Sequence, residues 1–324
     1  MPTLSAALVA ALMATAAAAT QLPYSPAVSN FRPPPPPTSF ECGSKQPDEA
    51  ELQIMKALFD KETSLQAEDR SEAPASFNVR TYIHVVAASQ SELDFFHRHN
   101  VIHRQFDAVK RDLGLLNIKF DLTNWTMSLH PAWAQGEQDE EMKRTLRQGG
   151  GYSDLNIYIL SNLSRHSTVP PVPSGICTMP PRSHSPEALA YDGCLVSGHT
   201  IFGGLNVKYG LGRKGVHEVG HWFGLHHPFH HGSCAAGTGV LDMPPQEKPV
   251  FDCPQTITTC PGRPPLRSPY NIMDYADDSC SGVLTHGQIQ LARSAYVYRQ
   301  GLDRARREAD KEARRRARQQ APRI

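Results

Sequence analysis

The feature that most constrains this chain is an eleven-residue segment, His217-Glu218-Val219-Gly220-His221-Trp222-Phe223-Gly224-Leu225-His226-His227. Two histidines four residues apart on a helix project from one face, about one turn apart, so both imidazoles reach a single ion. Zinc takes nitrogen ligands at ~2.0–2.1 Å in tetrahedral geometry, and a catalytic site leaves one position open. Glu218, next to the first histidine, can point toward that open position. If the helix continued, His227 would face away from the metal. Gly224 sits where the helix must stop, because glycine adopts the left-handed conformation that ends a helix and reverses the chain. After that reversal His227 swings back as a third ligand. The extended pattern fixes five residue types within eleven positions, whereas a bare His-Glu-x-x-His arises often by chance.

Those residue types specify a chemistry. A zinc ion at His217, His221 and His227 would acidify a water and stabilise an oxyanion, while Glu218 would act as general base and then protonate a leaving amine. The expected cofactor is one Zn2+ per chain. Of the neighbouring histidines, the Gly-x-x-His register favours His227 over His226. His230 and His231 read as exposed loop residues, and His84 reads as structural.

Downstream, Asn271-Ile272-Met273-Asp274-Tyr275 places a methionine in an expected turn. Together with the histidine motif it resembles the Met-turn beneath the metal in the metzincin proteases. Within the metzincins the chain is similar to the pappalysin-like branch, which includes many fungal secreted metalloproteases. The resemblance rests on His217 through Phe229, the cysteine-rich stretch from Cys234 to Cys280 and the segment ending Tyr275-Ala276-Asp277-Asp278-Ser279-Cys280. Upstream it includes Lys143 to Gly150 and Leu155 to Tyr158, and in all it spans about Phe77 to Tyr298. It implies an α/β (α+β) metzincin zincin fold. A twisted, mostly parallel sheet with two long helices would form the upper part, above an irregular, disulfide-tied lower subdomain.

The resemblance also implies a secreted zinc endopeptidase acting on proteins or peptides that add to a sheet edge near the cleft. Tyr275 matches a family tyrosine near the metal, so its hydroxyl either donates a hydrogen bond to the reaction intermediate or serves as a structural hydroxyl. The family's Asp-containing stretch is replaced here by Gly237 to Pro244, where Thr238 and Met243 substitute polar positions. Calcium needs several oxygen ligands, so a family-like calcium site is doubtful.

Seven cysteines are present, an odd count. The resemblance implies Cys234–Cys260 and Cys253–Cys280 disulfides, with Cys177–Cys194 as a third pair, leaving Cys42. Its context, Phe40-Glu41-Cys42-Gly43-Ser44, resembles the cysteine switch of some metzincin proenzymes. The alternative is a free or intermolecular thiol in a flexible arm.

Organisation along the chain fits this reading. Leu4 to Ala19 is an apolar, alanine-rich run too short to span a bilayer comfortably, expected as a signal peptide over 1–19 or else a terminal helix. Residues 20–76 form an expected propeptide or N-terminal arm. It contains the polyproline run Pro33 to Pro37 and a helical pattern over Glu49 to Glu62, which could instead pack on the domain. A catalytic domain is expected over 77–300, with strands at Val79–Ala88, Ile118–Leu122 and Leu155–Leu160. Helices are expected at Glu92–Leu113, Glu140–Arg147 and Lys214–Leu225, with a last one from Thr285. Loop signals dominate Ser161 to Asn206. The tail over 301–324 is basic, either a solvated extension or a surface for acidic partners. Sequons at Asn124 and Asn162 fit an extracellular protein.

With 33 basic and 32 acidic residues, the charge balance gives no indication of a nucleic-acid binder, and no membrane partner is expected. Sequence leaves the oligomeric state unknown. Two other functions compete with the protease: a secreted zinc-binding adhesion module that kept a protease fold, and a zinc hydrolase of a non-peptide substrate.

Overall fold

Alternating β-branched and aromatic residues begin at Phe77, and this run becomes the strand that joins one edge of the sheet to its centre. The computed structural model describes residues 40–44, 48–68, 76–164, 172–202, 206–229, 232–234, 240, 242–262, 266–267 and 270–320. The expected signal peptide and the polyproline run lie outside the described residues.

In chain order come β1 (Phe40–Cys42), α1 (Glu49–Glu68), β2 (Phe77–Ala87), α2 (Gln90–Arg98), α3 (Val101–Leu113), β3 (Ile118–Leu129), α4 (Pro131–Ala134) and α5 (Asp139–Leu146). Next are β4 (Leu155–Leu160), β5 (Val172–Cys177), α6 (Pro186–Tyr191), β6 (Cys194–Ser197), α7 (Arg213–Trp222), β7 (Thr256–Ile257), β8 (Leu266–Arg267) and α8 (His286–Gln320). The sheet has the order β1-β5-β6-β4-β2-β3, and every pairing is parallel except β5 with β6. β4 lies between β6 and β2 and is buried along its whole length, as a run buried on both faces should be. The fold is therefore the mixed α/β arrangement with a mostly parallel sheet that the sequence implies. Among the described residues between His227 and α8, the named strands are the short β7–β8 pair.

Three local expectations need correction. The helix expected from Glu92 to Leu113 is two helices. α2 starts with a capping box, in which the Ser89 hydroxyl accepts from the Glu92 N–H and the Glu92 carboxylate accepts from the Ser89 N–H. The chain then breaks at Asn100, whose φ of 50° is left-handed, a region asparagine tolerates better than most residues. The strand expected over Ile118–Leu122 continues to Leu129. The stretch read as loop between Ser161 and Asn206 holds β5, α6 and β6. Short elements among prolines and glycines carry too little periodicity to stand out.

The 1–19, 20–76, 77–300 and 301–324 boundaries remain a proposal, but the described part of the N-terminal segment packs on the body. α1 packs beside α8, and its Ile54 and Leu58 lie against the core. Arg182 pairs with Asp48 ahead of α1. The sheet and α7 share one apolar cluster that includes Ile83, Ile157, Val196, Val219, Trp222 and Met273.

Candidate active site

The N-terminus of α7 is set by Asp278, whose carboxylate accepts from the Leu211 and Arg213 N–H groups at 2.9 and 3.1 Å, placing negative charge at the positive end of the helix dipole. The C-terminus is set by glycine. Gly224 has φ 78°, its N–H bonds to the His221 carbonyl at 2.8 Å, and the Leu225 N–H bonds to the Gly220 carbonyl at 3.0 Å. These two bonds form the Schellman closure, so the helix ends at Trp222 rather than running to Leu225.

The reversal brings His227 back over α7. Its Nε2 lies 3.0 Å from His217 Nε2 and 3.1 Å from His221 Nε2, and all three histidines are buried. His217 Nδ1 donates to the Ile272 carbonyl and His221 Nδ1 to the Leu225 carbonyl, each at 2.8 Å. These bonds leave the Nε2 lone pairs of His217 and His221 facing inward. Burial lowers the His217 pKa well below its ordinary value and takes His221 down to about 4, so both rings are neutral. Neutral lone pairs this close repel unless a cation lies among them. Nitrogen ligands of a tetrahedral zinc stand about 3.3 Å apart, so the three imidazoles fit such an ion.

Cys42 completes the cluster. Its sulfur is 3.3 Å from His221 Nε2, and the four ligating atoms lie within 4.8 Å of one another. Among the described residues no other group of three or more such ligands is found. His226 is buried but outside the cluster, while His230, His231, Gly237–Gly239 and Leu241 lie outside the described residues. His84 is buried in β2 between Thr126 and Asn156, away from the site.

Glu218 is fully buried, and burial raises its carboxyl to about 8 against the lowering effect of hydrogen bonds from Ser44 and Cys42. The Ser44 hydroxyl donates to Glu218 Oε2 at 2.9 Å and accepts from the Cys177 N–H at 2.8 Å. Sequence reasoning missed Ser44, although it falls in the Cys-Gly-Ser context already singled out. Gly175 on β5 is needed here, since a side chain at that position would run into Glu218. Beneath the cluster, Met273 packs its sulfur against Gly220, the only residue type with room for it on that face of α7. Tyr275 lies beside the cluster with its ring 5.9 Å from His217 and 5.3 Å from His227, and its hydroxyl donates to the Cys42 carbonyl at 3.4 Å.

The arm that carries Cys42 is a strand on the sheet. β1 pairs in parallel with β5, and the Gly43 N–H bonds to the Gly175 carbonyl at 2.8 Å. The expected edge near the cleft is therefore already paired. Three disulfides, Cys177–Cys194, Cys234–Cys260 and Cys253–Cys280, agree with the expected connectivity and leave Cys42 free.

A mostly parallel sheet, a glycine-terminated histidine helix and a methionine turn beneath it define a metallopeptidase of the metzincin class. Residues 137–296 match the family described as pregnancy-associated plasma protein-A. An extracellular metalloprotease of Neurospora crassa is 35% identical over 84% of this chain and 91% of its own length. One from Colletotrichum graminicola is 34% identical over 77% of this chain and 87% of its own. Mature mirolysin of Tannerella forsythia, solved with a cleaved peptide, superposes with a TM-score of 0.54 at 19% identity, covering 71% of this chain and 99% of that one. The chain belongs to this pappalysin-like family of extracellular metalloproteases and is a zinc metalloendopeptidase. These relatives do not favour the reading as a non-enzymatic binding module.

Proposed function

We propose that His217, His221 and His227 bind one zinc ion and that Glu218 is the general base for hydrolysis of peptide bonds in extracellular proteins. The observation that carries this reading is the convergence of three imidazole Nε2 atoms beside a buried carboxylate. Zinc held there would supply a Lewis acid that acidifies water and polarises the scissile carbonyl. Glu218, as its carboxylate, takes the proton of the attacking water and delivers it to the leaving amine; burial strengthens its hold on that proton in between. Ser44 and Cys42 both bond to that carboxylate, so it is available to a substrate only when the arm has left. The Tyr275 hydroxyl, released from the Cys42 carbonyl, donates to the developing oxyanion. Substrate backbone then pairs with the β5 edge that β1 vacates.

The unprocessed chain is latent in this reading, with the Cys42 sulfur filling the fourth ligand position. A thiol that ligates zinc does so as thiolate, and Glu218 is the adjacent group able to hold the displaced proton. Residues 1–19 act as the signal peptide and residues 20–76 as the propeptide of this secreted enzyme.

The test is Glu218→Gln in the processed enzyme, assayed on casein with zinc content measured in parallel. Activity should fall at least ~100-fold with zinc retained; full activity would refute the role of Glu218. Tyr275→Phe should lower kcat roughly 10-fold with little change in KM if its hydroxyl serves the intermediate, and should leave kcat unchanged if the hydroxyl is only structural.

A further inference from the structure

Beyond Asp303 the last helix leaves the body of the protein. From Arg304 to Gln319 the side chains are exposed, apart from the half-buried Arg306, which donates to the Gly150 carbonyl. This stretch holds eight basic and three acidic residues, and their arrangement is not random. At 3.6 residues per turn, Arg304, Arg307, Lys311, Arg314, Arg315 and Arg318 fall within one arc of about 100°. No acid lies inside that arc.

The acids sit on its flanks. Asp310 pairs with Arg306 and Glu312 with Arg316, both arginines of the opposite side, while Glu308 reaches only Lys311. The five arginines of the stripe have no acidic partner among the described residues. Past the Arg306 contact with the Gly150 carbonyl, the i,i+4 pairs support the helix, since such pairs stabilise an isolated helix. The result is a straight cationic edge about 21 Å long.

We propose that this stripe binds a linear acidic polysaccharide, one whose carboxylate or sulfate groups follow one another along a single thread. Arginine forks suit both groups, because a guanidinium bonds either one through two parallel N–H donors. A single thread meets only the stripe. A bilayer or a duplex presents charge across a width and would also face Asp310, Glu308 and Glu312. A bilayer further requires an apolar face, and alanine is the only non-polar residue between Arg304 and Gln320. No aromatic residue in this stretch could stack on bases. Such binding would concentrate the protease on an acidic matrix without touching its active site.

The experiment uses the full chain on immobilised polygalacturonate and heparin, with phosphatidylserine vesicles and duplex DNA as competitors. Arg314→Gln/Arg318→Gln removes two charges from the stripe, and Arg306→Gln/Arg316→Gln removes two from the other side. The wild-type chain should be retained at low salt, with affinity falling roughly 30-fold per doubling of salt if six counterions are released. The stripe variant should flatten that dependence by about two counterions, while the other variant leaves it unchanged and both keep wild-type circular dichroism. Three results would overturn the proposal: no retention by either polysaccharide, equal losses in the two variants, or tighter binding to vesicles or DNA.

Discussion

The sulfur of Cys42 lies 3.3 Å from Nε2 of His221, although 179 positions separate them along the chain. Sheet pairing makes the approach possible, because β1 on the edge of β5 delivers Cys42 and Ser44 together to the active-site helix. If this contact enforces latency, Cys42→Ala in the uncut chain should raise peptidase activity at least ~10-fold, equivalent to about 1.4 kcal/mol of arm affinity. Ser44→Ala should raise it less. Equal latency in wild type and Cys42→Ala would remove the sulfur from the account.

Gly175 borders Glu218 so closely that only a hydrogen fits between them. Gly175→Ala should displace the carboxylate and cost roughly 100-fold in kcat, as a misplacement near 1 Å does. Zinc content should stay intact, since the nearest atoms to a Cβ there belong to Glu218 and the Leu195 carbonyl, not to any of the three histidines. A variant of normal rate would mean that Glu218 has more room than the packing allows.

The motif, the glycine stop and the methionine turn were legible in the sequence because each is local chemistry at fixed spacing. Partners brought together only by the fold were not. Arg299 and Asp192 form a buried pair at 2.9 Å across 107 positions, and Arg299 also bonds the Trp222 carbonyl and lies over its indole ring. Neither residue carries a local signal. The far half of β3 has a weak signal because Asn124, Thr126 and Ser128 interrupt its apolar run, yet they alternate with Trp125, Met127 and Leu129 as an edge strand permits.

That buried pair yields a stability test. Asp192→Ala strands the Arg299 guanidinium in the interior and removes the acceptor of the Trp222 indole N–H. Breaking one side of a buried pair costs about 3–5 kcal/mol, so denaturant unfolding should show a loss of that order. A change below ~1 kcal/mol would show that the pair does not anchor α8 to the end of α6.

His84 sets a pH dependence. Burial lowers its pKa to about 4, below the ordinary 6.5, so the folded state binds its proton less readily than the unfolded chain. The resulting stability is present above pH 6.5 and is lost as pH falls through 4. At 1.36 kcal/mol per unit the full loss is about 3 kcal/mol. Unfolding free energies between pH 7 and 4 should fall less steeply for His84→Gln than for wild type; parallel curves would exclude His84 as the titrating group.

The central claim is that three imidazoles hold the metal, and metal content tests it most directly. Elemental analysis of purified, folded protein should give about one zinc per chain, with His217→Ala, His221→Ala and His227→Ala each losing it while remaining folded. Folded wild-type protein that carries no transition metal and takes none up on reconstitution, or a His227→Ala variant that keeps its zinc, would contradict the account.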